Sequence, residues 1–143
     1  MSRLSEVMSA INKAFDDDEN YQHIPIYWDE TELTPNNPSF PCLLFKLRDW
    51  TPKIDCADER VLEIRILSNT LEPRTTLCEL WDYEELVRTT IRNLMSYTND
   101  FELIELGGSE VLELTYNREN KESYKSAKDF FSNLTILYYN LTY

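Results

Sequence analysis

The chain has 143 residues, which fits one domain and lets roughly two-thirds of the unfolded surface be buried. Apolar residues make up 42% and aromatic ones 13%, with only two glycines and six prolines, a composition that excludes disordered, collagen-like and low-complexity classes. The 26 acidic and 14 basic side chains give a formal charge of −12, which repels phosphate backbones and anionic membrane surfaces and argues against tight nucleic-acid binding.

Leu4, Val7, Met8, Ile11, Ala14 and Phe15 recur at three- and four-residue steps, the spacing of an amphipathic helix, with Ser2 as its N-cap. The acidic run Asp16 to Glu19 is unfavourable at a helix C-terminus and predicts the stop. Ile24, Ile26 and Trp28 alternate with polar or aromatic neighbours, a strand pattern that Pro25 assigns to a sheet edge. Residues 30–41 hold three prolines and two asparagines and read as an exposed loop.

Two strands follow, through Leu43, Phe45 and Leu47 and then Leu62, Ile64 and Ile66, paired antiparallel across the polar stretch Thr51 to Arg60. After Pro73 comes the longest helical signal, with Leu77, Leu80, Trp81, Tyr83, Val87, Ile91, Leu94 and Met95 on one broad face. Glu84 falls inside that apolar arc, with Arg88 four residues on at its margin. Such a charge either reaches the rim with its stem or meets a partner across an interface.

Phe101 to Leu106, then Gly107, Gly108 and Ser109, then Glu110 to Tyr116 read as a hairpin with a glycine turn. A long final strand, rich in aromatic and branched residues, runs from the polar stretch 117–128 to Tyr143. The order of elements predicts an α+β fold, a mostly antiparallel sheet with two main helices packed on one face. In the last strand, Leu134, Ile136 and Tyr138 share one face while Phe131, Leu137, Tyr139 and Leu141 share the other. Two helices cannot cover both faces, so apolar surface is expected to be left for subunit contact.

Catalytic signals are few. His23 is the single histidine, and there is no nucleophile elbow, Gly-rich phosphate cradle or zinc-protease motif, so neither an enzyme nor a cofactor or metal site is expected. Asp16, Asp18 and Asn20 imitate the start of a calcium loop, but Tyr21 and Tyr27 stand where its glycine and bidentate glutamate belong. Cys42, Cys56 and Cys78 lack metal or redox spacing and read as buried free thiols of a reducing compartment. The first residues show no signal-peptide core, and no window approaches the about 18 apolar residues of a membrane span, so use in the cytoplasm, or in a particle assembled there, is expected.

An opening helix, three strands, a central helix, a glycine-turn hairpin and a closing strand, carried by Leu62 to Leu67, by Leu77 to Met95 and by Asn133 to Tyr139, resemble the tail terminator or tail completion proteins of long-tailed bacteriophages. The resemblance implies a virion protein forming a ring, usually a hexamer, that caps the tail tube, stops its polymerisation and joins it to the head-side connector while DNA passes through. Its partners would be further copies of itself, the tube protein and the connector, with no membrane involved. Subunit contacts are expected at Phe131, Tyr139 and Leu141 and around Glu84 and Arg88. Glu63, Glu102, Glu105, Glu110 and Glu113 are candidates to line the channel with carboxylates. A head-to-tail adaptor or neck protein shares these features, and an acidic module that binds a basic protein is the reading from a different class.

Overall fold

A computed structural model describes residues 2–28, 41–52, 58–68, 73–106, 110–116 and 130–143, with the side chains at 49–52, 73–77, 110–116 and 130–134 outside the description. Helix α1 spans Arg3–Asp16, and the Ser2 hydroxyl accepts the Ser5 N–H at 3.1 Å as its cap. Its end comes where the acidic run begins, with the Asp17 N–H closing on the Lys13 carbonyl at 2.9 Å. A 3-10 turn over Glu19–Tyr21 follows, capped by the Asp18 carboxylate, which takes the Asn20 N–H. Asp18 and Asn20 are thus used to start a turn, and Asp16 accepts from Asn12 on α1.

Six strands form one sheet: β1 (Ile26–Tyr27), β2 (Cys42–Pro52), β3 (Asp58–Ser68), β4 (Glu102–Glu105), β5 (Glu110–Tyr116) and β6 (Phe130–Thr142). The order is β1-β2-β3-β6-β4, and β5 also pairs with β6. All pairings are antiparallel except the short one between β1 and β2. Helix α2 spans Pro73–Tyr97. The fold is α+β, and both helices pack on one face of the sheet.

The core explains why. Val7, Ile11 and Phe15 of α1 and Leu80, Val87, Ile91 and Leu94 of α2 bury against Phe45, Ile64, Leu137 and their neighbours, all on the same side by strand alternation. Each of these side chains contributes about 1.5–3 kcal/mol by leaving water. A smaller cluster, Cys42, Leu44, Leu67 and Ile136 with Tyr27 and Tyr138 against it, lies on the opposite face.

Two expectations need correction. Gly107 and Gly108 lie outside the described residues, but β4 and β5 do not form a hairpin with each other. Both pair end to end along the same edge of β6, β4 against Tyr139 to Thr142 and β5 against Phe130 to Ile136. β6 is long enough to accept both, and the register shifts between Glu105↔Tyr139 and Glu110↔Ile136. The polar stretch between β2 and β3 is also shorter than its composition suggests, because pairing continues to Pro52↔Asp58 through an irregularity between Arg48 and Thr51. The expected loop at 30–41, apart from Pro41, and the stretch 117–128 lie outside the described residues.

Candidate functional site

The register of β2, β3 and β6 sets Lys46, Glu63 and Tyr138 in one row across the face of the sheet opposite α1 and α2. Glu63 is 1% exposed, so its carboxylate needs partners. The Arg65 Nε donates to it at 3.0 Å, and the Arg48 guanidinium lies 3.7 Å from its other oxygen while stacking over the Tyr138 ring, 5.6 Å from the centroid. Two basic side chains therefore hold one buried carboxylate, with Lys46 its register neighbour on β2, in a chain that is acidic as a whole.

On the helical side, Glu84 and Arg88 occupy successive turns of α2. The Arg88 Nε donates to Glu105 of β4 at 2.7 Å, and its terminal nitrogen lies 3.2 Å from Glu84. That Glu84 oxygen is within ion-pair distance but makes no aligned hydrogen bond. Nearby, the Tyr139 hydroxyl is buried without a partner, and burial, aided by Glu105 and opposed by Arg88 and Arg92, pushes its pKa up to about 12. Further along α2 the Tyr21 and Thr90 hydroxyls bond at 2.9 Å, and Thr90 reaches Asp18 at 3.1 Å, which ties the 3-10 turn to the helix. Burial raises the Tyr21 hydroxyl above its ordinary pKa.

These positions change the reading of the candidate residues. Tyr139 and Leu141 are 3% and 0% exposed and pack under α1 and α2 within a single subunit, so the expectation that they meet another copy is overturned. Their face of β6 is the one the helices cover. Glu84 is likewise buried inside the subunit, and Arg88 joins α2 to β4 at its rim. Phe131 stands opposite Thr115 in the β5–β6 pairing, its side chain outside the description.

The five carboxylates do not line one surface. Glu63 is buried in its ion pairs and cannot face a channel. Register puts Glu102 and Glu110 opposite Thr142 and Ile136, on one face, and Glu105 and Glu113 opposite Tyr139 and Asn133, on the other. Of the three whose side chains are described, Glu102 is exposed and Glu105 pairs with Arg88.

Sequence reading missed Lys46, Arg48 and Arg65 as a group, and it missed the exposed edge residues Ile104 and Leu106, 51% and 50% accessible on β4 and just beyond it. Period-two placement of Lys46 and Arg48 in β2 and of Glu63 and Arg65 in β3 is the only signal of the first group. Trp81 and Tyr97 are exposed on α2. His23 is exposed, Cys78 on α2 is exposed and not the buried thiol expected, and the buried Cys42 thiol is pushed up to about 12 by desolvation. Among the described residues no helix is long and apolar enough to cross a membrane.

Comparison with known proteins finds no protein-family model that matches the chain, and no curated protein matches it in sequence.

Proposed function

We propose that this chain is a structural virion protein of a long-tailed bacteriophage. In this reading it forms a hexameric ring at the head-proximal end of the tail tube, stops tube polymerisation and joins the tube to the head-side connector. The observation that carries the reading is the β5–β6 arm. Phe130, Phe131 and Ser132 pair with β5, while β3 pairs with β6 only from Asn133 onward, so the hairpin overhangs the sheet. Among the described residues no third strand and no helix covers that overhang; a two-stranded ribbon of this kind is marginal in water, and docking on another subunit would supply the missing burial. The order of elements, with a helix, three strands, a second helix and strands that close on the sheet centre, supports the same assignment.

The buried positions of Tyr139 and Leu141 move the contact surface away from the middle of β6. Ile104 and Leu106 at the sheet edge and the arm itself take that role. The charge of −12 keeps DNA from adhering as it passes, although no single row of the five glutamates supplies it. Deleting the gene from the phage genome that carries it tests the function: tails of unregulated length and unjoined heads are expected, and particles with normal tails joined to heads would overturn the reading.

A further inference from the structure

The two outer edges of the sheet differ in charge. β1 pairs with β2 only through Ile26 and Tyr27, so among the described residues β2 is an edge strand beyond Phe45. On the face opposite α1 and α2 it carries Lys46 and Arg48. At the other edge, on that same face, stand Glu102, Ile104 and Leu106, all exposed.

Backbone directions on these edges follow from two hydrogen bonds. The Leu43 N–H donates to the Pro25 carbonyl at 3.0 Å, toward β1, and the Tyr27↔Leu44 pairing takes the Phe45 N–H into the same ladder, so alternation turns the Leu47 N–H to that edge beyond β1. The Leu106 N–H donates to Tyr138 at 2.8 Å, toward β6, so the Leu103 and Glu105 N–H groups point away from it. The Leu103 N–H meets the Met95 sulfur at 3.1 Å, which blunts part of this edge. β2 and β4 run in opposite senses, since the pairings from β2 to β3, β3 to β6 and β6 to β4 are all antiparallel. A rotation axis lying along the strands would therefore bring the β2 of one copy antiparallel to the β4 of the next.

We propose that the β2 edge of one copy pairs with the β4 edge of its neighbour, so that Arg48, 44% exposed, meets Glu102 while Ile104 and Leu106 are covered. The occupant of each edge is a second copy of this chain. The contact is head-to-tail, the kind that closes into rings, and opposite charges on the two edges favour it over pairing like edges. It rests on the ring reading above and names the contact within it.

Glu102→Lys and Ile104→Asp test it at exposed positions where the monomer fold has little at stake. Each is expected to keep the melting temperature of the monomer and to weaken self-association roughly tenfold or more. Amide exchange at Leu47 and Glu105 is expected to be slower in the assembly than in the monomer. A wild-type ring that forms unchanged with either substitution, or whose edge amides exchange as fast as in the monomer, overturns this contact alone. A wild-type chain that stays monomeric up to its solubility limit overturns the ring and this contact with it.

Discussion

The Tyr139 hydroxyl is buried beneath α2 with no hydrogen-bond partner, an arrangement that lowers stability instead of adding to it. Tyr139→Phe removes the orphan group and is expected to raise unfolding stability by about 1 kcal/mol in denaturant titration. The same substitution changes the alkaline limb. Because burial raises the folded pKa from 10.0 to about 12, the protonated form stabilises the fold fully below pH 10, and this contribution is lost as pH rises from there through the folded pKa. The variant is expected to lose less stability than wild type across that window, and an identical alkaline decline would contradict the burial.

Glu63 allows a second prediction at this scale. Arg65→Ala leaves a buried carboxylate with a poorer partner and is expected to destabilise by about 2–3 kcal/mol. Glu63→Gln leaves only cations whose side chains are 23% and 44% exposed and can return to water, an expected loss of about 1 kcal/mol. Thermal or denaturant unfolding of the two variants checks the order, and a reversed order would show that the cations, not the carboxylate, are the desolvated partners. The Ser2 cap was legible in the sequence because it depends on residues three apart, whereas the Glu63 cluster depends on the register of β2 with β3, which no local pattern specifies.

Among elements, α1 and α2 were legible because their apolar positions repeat at helical spacing and their ends carry local signals, Ser2 and the acidic run in one case and Pro73 in the other. The edge position of β1 was legible from Pro25, whose carbonyl accepts the Leu43 N–H. The 4–5 hairpin was misread because a glycine pair between two apolar runs signals a turn wherever the longer strand β6 offers no competing edge. Here β6 offered one, and non-local pairing prevailed over the local turn signal. The overhang of β5 and β6 leads to a prediction of its own: Phe131→Ser is expected to leave the monomer melting temperature within about 1 °C, consistent with a surface-type change, and to impair self-association. A large drop in monomer stability, measured by calorimetry, would instead place Phe131 in the subunit's own core.

For the whole molecule, one apolar face covered by two helices was readable from alternation in the strands, and so was the α+β class. The allocation of the two faces of β6 was not, because Tyr139 and Tyr138 are neighbours of similar composition and only the helix positions decide which is covered. What the fold leaves for assembly is an arm, two oppositely charged edges and a few exposed apolar side chains, not the broad apolar strand the sequence suggested. Native mass spectrometry of the purified chain, titrated in concentration, is the most direct measurement of whether these features bring copies together. A closed hexamer that gives way to monomer on dilution, with no open-ended series of sizes, is the predicted result; a monomer at every concentration would contradict it.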